Sequence, residues 1–320
     1  MPLDEQAQAW LTQLTESGLP SLHEMPVDQA RQAYSQVATQ CGIKPEEVAA
    51  VTNRSIPGPH GEIPIRIYVP QGSGPFAVLV YFHGGGWVIG NLEVVHGMCT
   101  VLANRAHALV VSVDYRLAPE HRFPAAVDDC FAATQWVAEH AQLINADVER
   151  LAVGGDSAGG NLAAVTALMA RDRGFPRIMS QLLLYPATDA KAHTPSSIEN
   201  ATGYFLTKDL MQWFYGHYLH SDEEKDDFRV SPLRARDLKG LPGALIVTAE
   251  YDPLRDEGEA YGMRLVEGGS TVTLKRYLGQ IHGFCANLAG VMDVGKEALD
   301  MAGRFLRESF RAGWSPRSWF

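Results

Sequence analysis

Short apolar runs recur along this chain, at 77–82, 108–113, 151–153, 181–185, 244–248 and 271–277, each bounded by turn-forming residues. Helical patterns separate most of them, as at 161–171, 257–267 and 296–307. Successive strand side chains point to opposite faces, so an unbroken apolar run must be covered on both. The intervening helices are the available cover. This alternation predicts a central, mostly parallel sheet with helices on both faces, an α/β fold. Ahead of the runs, Ile65, Ile67 and Val69 alternate as a half-buried strand that Pro70 stops.

Two stretches depart from the alternation. Near the start, Ala7, Trp10, Leu11 and Leu14 follow the i, i+3, i+4, i+7 spacing of an amphipathic helix, and a second such pattern runs from Val27 to Ala38. Between Asp189 and Val230 no apolar strand occurs, but Leu206, Leu210, Trp213, Phe214, His217 and Tyr218 form an aromatic helical face. An acidic stretch from His220 to Asp227 follows it. A chain of 320 residues buries roughly three quarters of its unfolded surface and needs no disulfide or metal to fold. The net charge of −10 disfavours nucleic acid and anionic membranes, which require a positive footprint. The first residues lack the basic and apolar regions of a secretory signal, and the longest apolar run, Phe76 to Phe82, is far shorter than the roughly 20 residues that span a bilayer. Cys41, Cys99, Cys130 and Cys285 are dispersed, without zinc-ligand spacing, as expected for free thiols in a reducing compartment. A cytoplasmic protein without stable membrane association is expected.

Chemistry enters at Gly155-Asp-Ser-Ala-Gly159, directly after one apolar run and before a helical pattern. Chance alone yields roughly 0.1 occurrence of G-x-S-x-G in a chain of this length, so the strand–turn–helix context is what gives the motif weight. A serine on so sharp a turn is strained, and flanking glycines relieve the crowding. A second signal, His83-Gly-Gly-Gly-Trp87, follows the run at 77–82. Glycines there let backbone N–H groups approach a ligand oxygen, and in the α/β-hydrolase arrangement such a loop forms the oxyanion hole with the N–H after the nucleophile. The expected donors are Gly84, Gly85 and Ala158.

A hydroxyl nucleophile needs a base, and the base an orienting carboxylate. His282 follows the last strand-like run, and Asp252 the one before it, giving the order Ser157, Asp252, His282 used by that fold. Asp252-Pro253 also reads as a helix N-cap with proline at the first helical position, and Asp256 is the nearest rival carboxylate. His83 is expected to anchor its loop rather than act as base. Arg116 and Glu120 read as an ion pair or loop clamp, with substrate contact as the alternative.

Together, His83–Gly86, Tyr115-Arg-Leu-Ala-Pro-Glu120, Gly155–Gly160, Asp252-Pro-Leu-Arg-Asp-Glu-Gly258 and His282-Gly-Phe284 resemble the hormone-sensitive-lipase family of esterases, the bacterial family IV carboxylesterases, in its G-D-S-A-G branch. The resemblance implies an α/β-hydrolase fold with a helical cap. Residues 1–50 correspond to N-terminal cap helices, 51–188 and 231–320 to the core, and 189–230 to a cap segment. It also implies a serine carboxylesterase for small, uncharged acyl esters, without metal or organic cofactor; a homodimer is compatible with it. Candidate pocket residues are Trp87, Asp156, Tyr204, Phe205 and Trp213, with Trp10 beside them. Val95, Gly97 and Thr100 depart from the family's usual residues, which bears on pocket shape. Amidase, lactonase or deacetylase chemistry at the same residues, and a non-catalytic receptor, are the alternatives. The tail from Ala312 to Phe320 carries no interpretable signal.

Overall fold

The protein, seen in a computed structural model, is described over residues 2–312. The sheet has eight strands: β1 (Ala50–Gly58), β2 (Gly61–Val69), β3 (Phe76–Phe82), β4 (Leu109–Val113), β5 (Ala146–Asp156), β6 (Ser180–Leu184), β7 (Gly243–Tyr251) and β8 (Val272–Ile281). Their spatial order is β1-β2-β4-β3-β5-β6-β7-β8. β2 pairs antiparallel with β1 and β4, and every pairing from β4 to β8 is parallel. Each expected strand forms. β1 is additional: it is exposed apart from the buried Ile56 and half-buried Gly58, and has no apolar alternation to betray it. It forms by pairing along the whole of β2, with a tight turn at Pro59-His60.

β3, β4 and β6 are buried at every position, as continuous apolar strands require. Helices α3 (His96–Ala106), α4 (Ala125–Glu139), α5 (Ala158–Arg173), α8 (Arg255–Glu267) and α9 (Asp293–Ala312) cover the faces, with α4 packed on α5 and α3 on α9. The four cysteines are free, and three of them are buried. Among the described residues no helix is long and apolar enough to cross a membrane.

The topology locates the site. From β3 the chain crosses to β4 on one side and then to β5 on the other, so the loops leaving β3 and β5 diverge and open a crevice at their carboxyl ends. The His83 loop leaves β3 there, and Ser157 directly follows β5. Beside this crevice lie α2 (Val27–Cys41), through Tyr34, and α7 (Lys208–Tyr218), through Leu210 and Phe214, whereas α1 (Glu5–Glu16) contacts β8 and α6 (Pro195–Glu199) packs on α8. Trp10 of α1 meets Phe205 edge-on at 5.1 Å, joining the start of the chain to the 189–230 segment.

Local expectations change in three places. α8 begins at Arg255, with Leu254 in the capping position, so Asp252 and Pro253 lie before the helix. Arg116 pairs with Asp129 rather than Glu120, and Glu120 pairs with Arg31. Thr100 accepts from the Glu46 amide, and Gly97 packs against the Ile43 carbonyl. These departures from the family pattern therefore secure the 43–46 connection and do not line the pocket.

Candidate active site

The turn after β5 is as sharp as its glycines suggest. Ser157 sits at φ 55° and ψ −118°, a conformation that costs a non-glycine residue on the order of 1–3 kcal/mol. Surrounding bonds over-determine it: its N–H donates to Leu184 O at 2.8 Å, and its own carbonyl accepts from Asn161 N–H at 3.0 Å. Gly159 must lack a side chain, because a Cβ there would lie 1.9 Å from Phe82 O. This close approach presses the start of α5 against the end of β3.

His282 and Asp252 arrive from the ends of β8 and β7. His282 Nε2 accepts from Ser157 Oγ at 2.9 Å, while Nδ1–H donates to Asp252 Oδ2 at 2.6 Å. The other carboxylate oxygen, Oδ1, accepts from Leu254 N–H at 2.8 Å, fixing the carboxylate plane. Asp252 is fully buried and His282 nearly so. The rival Asp256 points elsewhere, accepting from Ser196 N–H and Arg255, and the nearby Glu250 accepts from Gly279 N–H. His83 Nδ1–H donates to Gly84 O, and burial lowers the imidazole to about 4, so it is neutral and engaged at pH 7.

The glycine loop requires a correction. Gly84 N–H donates to Asp156 Oδ1 at 3.0 Å and is therefore not available to an incoming oxygen. Gly85 and Gly86 line the cavity beside Ser157, as Gly84 does not. Gly86, at φ 58°, lies under Phe214, whose ring a Cβ would meet at 2.2 Å. Ala158, first residue of α5, presents a helix N-terminal amide, one of the donors that lack a partner within the helix.

Asp156 lines the cavity and is also a support for the glycine loop. Its Oδ1 also accepts from Tyr81 OH at 2.8 Å, so the carboxyl ties β3 and the glycine loop to the nucleophile turn. Burial raises it to about 6, against the pull of those two donors. The folded state thus holds this proton more tightly than the unfolded chain, where a carboxyl near 3.9 is usual. The associated stability is fully present below about pH 4 and lost as pH rises through about 6. Asp156→Asn has no such proton, so urea melts should show it gaining about 2 kcal/mol on the parent between pH 4 and 7. Parallel curves would contradict this.

The cavity beside Ser157 is walled by Leu22, Tyr34, Ile89, Phe205, Leu206, Leu210 and Phe214, with Asp156 and Asn287 as further polar lining. Of the candidate pocket residues, Asp156 and Phe205 line it. Trp87 is buried and stacked on Tyr218 at 4.5 Å, and Trp213 packs on Phe214 and His217 outside the cavity. Tyr204 lines an adjoining groove together with Phe205, Tyr34 and Leu22. Sequence inspection missed Leu22, Tyr34 and Ile89, ordinary residues brought to the crevice by distant elements. Leu210 and Phe214 were legible as one helical face.

A family model described as the alpha/beta hydrolase fold matches residues 79–286. The chain is 47% identical over 262 residues to carboxylic ester hydrolase LipN of Mycobacterium tuberculosis, covering 80% of this chain and 69% of that one. It is 41% identical over 293 residues to carboxylesterase NlhH of the same organism, covering 89% and 90%. An ester hydrolase from the metagenome of Lake Arreo, solved with a bipyridine phosphonate derivative, has a TM-score of 0.94 at 43% identity, covering 97% of this chain and 99% of that structure.

Proposed function

The chain belongs to the hormone-sensitive-lipase family of carboxylesterases on the alpha/beta-hydrolase fold, and we propose that it hydrolyses short-to-medium acyl esters by two-step acyl transfer at Ser157. The carrying observation is the unbroken chain of hydrogen bonds from Ser157 Oγ through His282 to the buried Asp252. In this reading His282 takes the serine proton through Nε2 as Oγ attacks the ester carbonyl. Asp252 holds the tautomer with hydrogen on Nδ1 and stabilises the imidazolium that forms. The N–H groups of Gly85, Gly86 and Ala158 receive the tetrahedral oxyanion. His282 then returns the proton to the departing alcohol, and water repeats the sequence to release the acid.

The lining supports a bounded, largely apolar substrate: Leu22, Ile89, Phe205, Leu206, Leu210 and Phe214 surround the space beside Ser157, with Asp156 and Asn287 as polar neighbours. The helices beside the crevice act as a cap in this reading, with α7 closing the pocket through Leu210 and Phe214. The net charge of −10 suits a small uncharged ester better than nucleic acid or an anionic lipid surface.

A nitrophenyl ester series tests both chemistry and size. kcat/KM should peak at acyl chains of about four to eight carbons, each methylene adding about 0.8 kcal/mol of burial until the wall is reached. Phe214→Ala should move the peak to longer chains. A nitrophenyl phosphonate should add one equivalent at Ser157 and stop turnover. Labelling of another serine would overturn the mechanism, and an optimum at roughly sixteen carbons the cap assignment.

A further inference from the structure

Arg31 of α2 plays no part in the chemistry above, yet it contacts the loop carrying the proposed oxyanion donors. Its Nε–H donates to Val88 O at 2.9 Å, and Nη2–H donates to Ala118 O at 3.0 Å. The same guanidinium takes Glu120 as a fork, with bonds of 2.8 and 2.7 Å. Exposed ion pairs contribute little to stability, and Glu120 is exposed, but the half-buried Arg31 also satisfies two main-chain carbonyls that no ladder reaches. Only a planar, multi-donor cation can hold three acceptors from two loops at once.

Those acceptors are well placed. Val88 and Ile89 N–H both donate to Gly85 O, so 85–89 is one closed turn. Ala118 N–H donates to Trp87 O, and Tyr115 OH donates to His83 O at 2.7 Å. The 115–120 segment therefore backs the glycine loop at both ends, and Arg31 bolts the two together from the α2 side. Farther along α2, Tyr34 OH donates to Asn287 Oδ1 at 3.2 Å, and Cys41 O accepts from Gly290 N–H at 2.8 Å. The same helix thus also grips the loop that follows His282.

We propose that Arg31 is a positioning residue for ester hydrolysis: through Val88 O, Ala118 O and Glu120 it sets the turn that aims the Gly85 and Gly86 N–H groups at Ser157. The proposal rests on the oxyanion assignment above. It gives the Tyr115–Glu120 motif a part in the reaction, and makes an N-terminal helix part of the machinery that organises the hole.

The test compares Arg31→Met, Arg31→Lys and Glu120→Gln with the parent in the full-length protein. The readouts are kcat and KM on nitrophenyl butyrate, the rate of Ser157 phosphonylation, amide exchange over 85–89, and Tm. An oxyanion donor is worth about 10²–10³ in kcat, and partial misalignment of two should cost Arg31→Met about 10- to 100-fold. KM should stay within about threefold, phosphonylation should slow in parallel, and exchange over 85–89 should rise. Glu120→Gln, which keeps both carbonyl bonds, should lose less than Arg31→Met. A purely structural arginine would lower Tm and leave kcat unchanged well below it; that result, with phosphonate still adding at Ser157, overturns the positioning role and leaves the mechanism standing. Failure of the parent to label at Ser157 would instead overturn the mechanism. If Arg31→Met does not fold, Arg31→Lys decides: a folded variant with kcat unchanged refutes the proposal, and one with kcat lowered and exchange raised supports it.

Discussion

Ser157→Ala is expected to lower kcat for ester hydrolysis by about 10⁶-fold, the scale seen when a triad nucleophile is removed. The hydroxyl is the group on the turn that is hydrogen-bonded to a base, His282 Nε2, at 2.9 Å. A residual rate about 10³-fold above water should persist, because the oxyanion donors and pocket survive the substitution. His282→Ala added to Ser157→Ala should cost little more, since base and nucleophile work as one unit. The backbone bonds to Leu184, Ala187 and Asn161 do not involve the hydroxyl, so the circular dichroism spectrum should be unchanged. Turnover by Ser157→Ala within about tenfold of the parent would place the nucleophile elsewhere.

Asp252→Asn should lower kcat by about 10⁴-fold with the fold intact. The reason is tautomeric. Asparagine can still accept from Leu254 N–H through its oxygen, preserving the turn, but then presents an amide N–H₂ to His282 Nδ1. The ring must respond by moving its proton to Nε2, where it cannot accept from Ser157. Asp256→Asn leaves that geometry alone, because Asp256 serves Ser196 and Arg255, and kcat should stay within about threefold. Comparable losses in both variants would mean that the carboxylate near His282 acts through the local fold and not through the ring.

The site was unevenly legible. Ser157, His282 and Asp252 could be picked out because each must follow a strand, and strand ends are visible as the stops of apolar runs. The glycine loop was legible as a loop but not atom by atom. Which of three consecutive amides faces the substrate depends on which is already engaged, and Asp156 engages Gly84 from a different strand. Trp87 looked like a pocket wall because aromatic residues beside a catalytic loop line pockets. Its positive φ instead accompanies a ring stacked beneath α7 on Tyr218. The true wall includes Leu22 and Tyr34, whose sequence neighbourhoods say only that helices run nearby.

Apolar periodicity and turn residues determined the layered α/β architecture, the order of strands along the chain and the three residues at strand ends, since these depend on local pattern and on a chain rule linking each strand to the loop after it. β1 escaped that reading because an exposed edge strand is stabilised by its partner's open hydrogen-bonding groups, not by its own side chains. Tertiary structure alone decided which amides remain free for an oxyanion, which side chains bound the cavity, and that Arg31 reaches Glu120. Each of these depends on contacts between segments far apart in sequence, where direction and distance are set by the packing of whole elements and leave no periodic trace in either segment.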